Sequence, residues 1–192
     1  MKEIVFATNN LNKFNEIKFI FPKNIKLLSL KDLNINEKIE ENGKTLEDNA
    51  KIKSDYIYDK YSLFCFSDDS GLMIDYLNGE PGIYSSEYAG FPSNDLNNMR
   101  KVLNKLKNIN NRMANFKTII SLNLGLKNLI FTGELQGSIS NSIRGDNGFG
   151  YDPIFIPKGY NLTLGELSFK KKNKISHRNL AIKKLINYLN NL

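Results

Sequence analysis

Five short groups of residues carry side chains that could do chemistry together. Two are acidic: Glu40-Glu41 precede Asn42-Gly43, and Asp68-Asp69 precede Ser70-Gly71. Magnesium favours one or two carboxylates completed by water and substrate phosphates. A carboxylate at the C-terminal end of a core strand is a usual ligand position in α/β sheets. The third group, Thr8-Asn9-Asn10-Leu11-Asn12-Lys13, stands where a strand should give way to a helix. Free backbone N–H groups at a helix N-terminus favour phosphate, and Lys13 adds a point charge. The group is not a Walker motif, because the glycines and the Gly-Lys-Ser/Thr ending are missing. The fourth group runs from Arg144-Gly145 through Phe149-Gly150-Tyr151-Asp152 to Pro153. Its glycines admit close backbone approach, and Phe149 could stack on a planar base. The fifth, Lys172 to Arg178, contains the only histidine, His177. His177 and Arg178 can both donate hydrogen bonds, and Ser176 is a candidate helix cap.

Taken singly, each group also has an ordinary reading: a capped helix, a solvated charge pair, a turn, a hairpin loop with inward aromatics, a basic surface. Two acidic sites flanked by glycine, beside a phosphate-type junction, shift the balance toward phosphate chemistry.

The elements that must position these groups can be read from periodicity. Glu3–Ala7 reads as a buried strand. A helix follows with Phe14, Ile17 and Phe21 on one face, ending before Pro22. Lys26–Leu30 suggests a short strand and 31–44 a polar loop. Thr45-Leu46-Glu47-Asp48 resembles a capping box opening a helix to about Tyr58. Leu63–Ser67 fits a core strand that ends at Asp68–Gly71, and Leu72–Ile74 another short strand. Residues 78–93 read as a Gly/Pro-rich loop. A helix at about 94–107 should bury Leu96, Met99, Leu103 and Leu106. Phe116–Leu124 alternates as a strand, Gly125–Asn128 turns it, and Leu129–Leu135 returns antiparallel. Gly145–Gly148 reads as a tight turn. From Ser176 onward an amphipathic helix should bury Ala181, Leu185 and Leu189. Mixed strands and helices with a central hairpin imply an α/β fold around a mixed sheet.

The 192 residues fit one domain, 1–192, and 41% hydrophobic residues can fill its core. No stretch approaches the roughly 20 apolar residues of a membrane span. The chain starts directly on an apparent strand without a long apolar leader, so a cytoplasmic protein is expected. The single cysteine excludes an intramolecular disulfide, and Cys65, between Phe64 and Phe66, reads as a buried small hydrophobe. The net charge of +7 suits nucleic acid or a small anion. Abundant Asn, Lys and Ile match an AT-rich coding bias, so charge alone carries little weight. A nucleic-acid binder would have no use for the acidic pairs, and no nucleic-acid or membrane partner is expected.

Together the groups resemble the inosine/xanthosine triphosphate pyrophosphatase family, the non-canonical purine nucleoside triphosphatases. The resemblance spans about Ile4 to Ala181, through Thr8–Lys13, Glu40–Asn49, Asp68–Leu72, Gly79–Gly90, Gly148–Phe155 and Ser176-His177-Arg178 in family order. It implies an elongated two-lobed α/β fold around a long mixed twisted sheet, a substrate cleft between the lobes, and a homodimer. The implied reaction cleaves the α–β phosphate bond of a nucleoside triphosphate, giving monophosphate and pyrophosphate. By resemblance, Thr8, Asn9, Asn10, Leu11, Asn12 and Lys13 hold the triphosphate. Glu40 and Asp69 bind Mg²⁺, Asp69 is also the general base, and Ser70 touches substrate. Phe149, Gly150, Tyr151 and Asp152 hold nucleoside and base, while Lys172, His177 and Arg178 complete the base pocket. Donors from His177 and Arg178 would favour the C6 oxygen of hypoxanthine or xanthine over the amino group of adenine. The His177-Arg178 pair argues against a pyrimidine-directed relative. Three departures stand out: Glu87 replaces a usually basic residue, Gly165 replaces a common Ala and is expected to loosen its surroundings, and Asn10 and Asn12 replace small residues.

Overall fold

The computed structural model describes residues 3–125 and 128–192. Six strands form one sheet: β1 (Glu3–Phe6), β2 (Lys26–Ser29), β3 (Cys65–Ile74), β4 (Met113–Asn123), β5 (Asn128–Ile139) and β6 (Phe155–Pro157). Their order is β2-β1-β3-β4-β5-β6. β1 pairs in parallel with both β2 and β3, while β5 and β6 pair antiparallel, so the sheet is mixed as the sequence implies. The helices are α1 (Leu11–Ile20), α2 (Leu46–Tyr61), α3 (Asp95–Lys105), α4 (Phe169–Ile175) and α5 (His177–Leu189).

Local chemistry explains the helix ends. Asn10 caps α1, its side chain accepting from the Lys13 N–H at 3.1 Å. α1 buries Phe14 and Ile17 and stops at Phe21, before Pro22. Thr45 and Asp48 close a reciprocal capping box on α2, so the short aspartate reaches as well as a glutamate would.

Three expectations need correction. β3 is a single ten-residue strand, not a strand, a turn and a second strand. Asp68, Asp69 and Ser70 break its apolar run, yet the two aspartates are buried with partners instead of marking a turn. In α3, Leu96 is 41% exposed, and Asn98 is buried in the inward stripe beside Met99 and Val102. Asn98 satisfies itself there by donating to the Ser86 carbonyl and accepting from the Ala89 N–H. Finally, a separate helix, α4, capped by Ser168, forms within the lysine-rich stretch and ends at Ser176, directly before α5 opens at His177. The turn expected at Gly125–Asn128 includes Leu126 and Lys127, which lie outside the described residues.

The chain divides into two compact units. One comprises Met1–Asp69, Thr118–Gly133 and Arg178–Leu192; the other comprises Ser70–Lys117 and Glu134–His177. The first unit has a core around Phe6, Ile17, Phe66, Ile120 and Leu185, with a second cluster around Val5, Leu30 and Ile57. Cys65 belongs to that second cluster, fully buried, its thiol donating to the Ser54 carbonyl and pushed up to about 12 by burial. The second unit packs Leu72, Val102, Leu106, Ile154, Phe155 and Leu164. Among the described residues no helix is long and apolar enough to cross a membrane.

Candidate active site

In the first unit, Asp68 and Asp69 come from β3 and meet cations from three helices. Lys13 of α1 lies 3.2 Å from Asp68 Oδ2, and Arg178 Nε of α5 donates to the same oxygen at 3.3 Å. The Arg178 guanidinium also pairs through Nη1 with Glu16 of α1. Glu16, Asp68 and Arg178 are each at most 5% exposed. Burial opposes ionisation of Asp68, yet Lys13, Arg178 and Lys53 together hold its carboxyl well below the usual range. Arg178 is likewise opposed by burial and held charged by Glu16 and Asp68.

Asp69 is built differently. Asn49 Nδ2 donates to its Oδ2 at 3.2 Å, and Lys53 Nζ is 3.9 Å from its Oδ1. Lys53 is ion-paired more closely with Glu41. Burial pushes the Asp69 carboxyl above its ordinary value; Lys53 and Lys13 pull it down, and Glu41 and Asp68 push it up again. A carboxylate with raised basicity, held by an amide and facing a cation, is suited to take a proton from water.

The loop bearing Glu40 and Glu41 is tied to this arrangement. The Gly43 N–H donates to Asn49 Oδ1 at 2.8 Å, so one buried amide holds both the loop and Asp69. Further back, Glu37 accepts from Tyr56, Lys60 and Tyr61, and the bonds from Lys60 and the two tyrosines lower its carboxyl to about 2. Asn9 Nδ2 donates to the Glu37 carbonyl at 3.3 Å, which ties Thr8–Lys13 to the same loop. Thr8 Oγ1 accepts from the Asn10 N–H at 3.2 Å. Asn9, Asn10, Leu11 and Asn12 are exposed.

In the second unit, the Gly148–Asp152 loop folds around a buried ion pair. Asp152 and Lys172 are 3% and 2% exposed and bonded to each other. The Phe149 N–H donates to Asp152 Oδ2 at 2.9 Å, and the Lys172 ammonium lies 4.7 Å from the Phe149 ring centroid. Gly148 must be glycine: its φ is +82°, and a Cβ there would lie 2.1 Å from Asp152 Oδ2. The buried Tyr151 hydroxyl donates to the Ser85 carbonyl at 2.8 Å. His177 is buried against Phe116, the rings stacked at 4.6 Å and 8°. Ser70 is half-buried in β3.

The structure thus groups Lys13, Asp69 and Arg178 in one unit, and Phe149, Gly150, Tyr151, Asp152 and Lys172 in the other. It gives Glu40 no hydrogen bond or ion pair among the described residues; Glu41 is the carboxylate linked toward Asp69 through Lys53. Glu16, Asn49 and Lys53 carry no assigned role in the sequence reading, and Asp68 enters it only as one of an acidic pair. A signal exists for the three helix residues: Glu16 follows Lys13 by three residues, and Lys53 follows Asn49 by four, each pair on one helix face. Polar residues interrupting a buried stripe at that spacing mark a functional face. Glu87 stands exposed. Gly165 does not loosen its surroundings but packs tightly, since a Cβ there would meet the Arg144 carbonyl oxygen and Pro153 Cα at 2.8 Å.

Among the described residues no group of three or more His, Cys, Asp or Glu could hold a metal ion. Glu41 and Asp69, both reached by Lys53, present carboxylate oxygens, the donor type a hard cation takes alongside water and phosphate.

Comparison with known proteins agrees with the resemblance seen in the motifs. Residues 4–188 match the model of the Ham1 family. The dITP/XTP pyrophosphatase of Christiangramia forsetii is 49% identical over 187 residues, covering 97% of this chain and 98% of that protein. The protein of the same name from Porphyromonas gingivalis is 40% identical over 190 residues, covering 98% of each. The solved structure of the Staphylococcus aureus Ham1 protein superposes with a TM-score of 0.90 at 41% identity, covering 99% of both chains. The chain belongs to the Ham1 family.

Proposed function

We propose that this protein is a magnesium-dependent pyrophosphohydrolase of non-canonical purine nucleoside triphosphates (ITP, dITP and XTP), removing them before they enter DNA or RNA. The observation that carries the reading is the treatment of two consecutive aspartates. Asp68 is neutralised by Lys13 and Arg178, while Asp69 keeps a raised basicity under Asn49 and Lys53. The names of the relatives, dITP/XTP pyrophosphatases, support the choice of substrate.

Hydrolysis of a phosphoanhydride needs positioning, charge neutralisation and an oriented water. The N-terminus of α1, from Thr8 to Asn12, and Lys13 receive the triphosphate. Asp69 orients a water and takes its proton. The water oxygen bonds to a phosphorus flanking the α–β bridge, the bridging P–O bond breaks, and monophosphate and pyrophosphate leave. Asp69 and Glu40, or its neighbour Glu41, would hold Mg²⁺, which would neutralise phosphate charge when bound. Arg178 and Lys13 keep Asp68 ionised and consume its charge in ion pairs, leaving Asp69 as the carboxylate open to chemistry. Phe149 stacks on the base, with Ser70, Gly150, Tyr151 and Asp152 around the nucleoside. Lys172 and His177 complete the base pocket, and the family resemblance assigns Arg178 to the base as well. A homodimer in the cytoplasm is part of the same proposal.

The test is product formation from inosine, xanthosine, guanosine and adenosine triphosphates, with Mg²⁺ and with chelator. Turnover chiefly of the inosine and xanthosine substrates, and only with metal, is expected. Equal turnover of all four, or none, would sink the reading.

A further inference from the structure

The Gly148–Asp152 loop is anchored at three consecutive residues, two of them by groups outside the loop. Phe149 is held by Asp152, a member of the same loop, and Tyr151 by the backbone of Ser85. Gly150, between them, donates its N–H to Asp95 Oδ2 at 2.7 Å across 55 residues of sequence. Asp95 is the first residue of α3, but Asn94 provides that helix's cap, its side chain accepting from the Asn97 N–H at 2.9 Å. The Asp95 carboxylate is therefore directed to the loop and not to its own helix.

Gly150 needs such a tether. Its φ is +62°, and no heavy atom lies within 4 Å of where a Cβ would stand. The side on which a side chain would stand is open, and glycine has more backbone freedom to lose than any other residue. A charge-assisted hydrogen bond to its N–H fixes the peptide before ligand arrives, which lowers the ordering cost of binding.

We infer that Asp95 is a positioning residue for purine-base binding: its carboxylate holds the Gly150 peptide so that Phe149 and Tyr151 are presented to the base. The inference rests on the functional reading above. It assigns Asp95 to the base and not to the phosphates, and that distinction can be measured.

The experiment compares wild type, Asp95→Ala and Asp95→Asn by calorimetric titration with inosine monophosphate and, separately, with inorganic tripolyphosphate. ITP kinetics and thermal melts are run alongside. Asp95→Ala should weaken inosine monophosphate binding and raise the ITP KM about tenfold, with kcat within about twofold. Tripolyphosphate affinity and melting temperature should be unchanged, and Asp95→Asn, which keeps an acceptor oxygen, should recover most of the loss. Unchanged inosine monophosphate affinity in Asp95→Ala would overturn the inference. An equal loss for both probes, or a loss that tracks a lowered melting temperature, would also overturn it. A wild-type protein that neither binds inosine monophosphate nor turns over ITP would instead remove the functional reading, and the inference with it.

Discussion

The acidic end of β3 and the Gly148–Asp152 loop are built in opposite ways. The first gathers charges from regular elements: Asp68 and Asp69 on a strand, Lys13 and Glu16 on α1, Asn49 and Lys53 on α2, and Arg178 on α5. The second relies on left-handed glycines, backbone hydrogen bonds and a single buried ion pair. Under the proposed function, the difference follows from the chemistry each would serve. Moving a proton beside a phosphate tolerates little displacement, and rigid elements provide that precision. Recognising a flat base needs a backbone that can come close to it, which glycine permits.

The sharpest contrast lies within the acidic end, between neighbouring aspartates, and it orders the predictions. The largest effect should come from Asp69→Asn, which removes the proposed base while keeping its shape. Turnover should fall about 10²–10⁴-fold, measured as pyrophosphate release. The same variant should melt no lower than wild type in chelator. The Asp69 carboxyl is raised in the folded state, so its stabilising contribution exists when protonated and is lost as pH rises through its folded value.

Asp68→Ala should do the reverse, acting first on stability. It strands Lys13 and Arg178 beside a missing charge, a change that costs about 3–5 kcal/mol for a buried pair, read from denaturant unfolding. The carboxyl of Asp68 is lowered, so its contribution is present at neutral pH and lost as pH falls through its folded value. The two aspartates therefore have opposite pH signatures in stability, and melts of the two variants across acidic pH would separate them. A common signature would erase the contrast.

A smaller effect is expected in the loop. Gly148→Ala forces a left-handed alanine, about 1–2 kcal/mol, and drives a methyl into Asp152. It should raise the KM for ITP more than it lowers kcat. The smallest effect is on pH dependence: the acid limb of metal-free inosine monophosphate binding should be insensitive to Asp69→Asn, because the Gly148–Asp152 loop, proposed to bind the base, does not use Asp69.

How much of this was legible in the sequence follows the same division. α1, α2 and β4 were visible because apolar residues recur at helix or strand spacing and their caps are local. β3 was misread because its central residues are charged, and only their buried partners, distant in sequence, reveal a strand. α4 was missed because five lysines and asparagines in seven residues carry no apolar period. Of the site, Lys13, Asp69 and the Gly148–Asp152 loop were recognisable as residue types in a pattern. Asn49 and Asp95 were not, because their importance lies in one hydrogen bond each to a residue far along the chain.

The central claim is most directly tested by resolving the phosphorus-containing products of wild-type protein acting on deoxyinosine triphosphate with Mg²⁺. The account predicts deoxyinosine monophosphate and pyrophosphate in equal amounts, with no diphosphate intermediate. Orthophosphate with deoxyinosine diphosphate would contradict it, since the bond broken would then not be the α–β bridge.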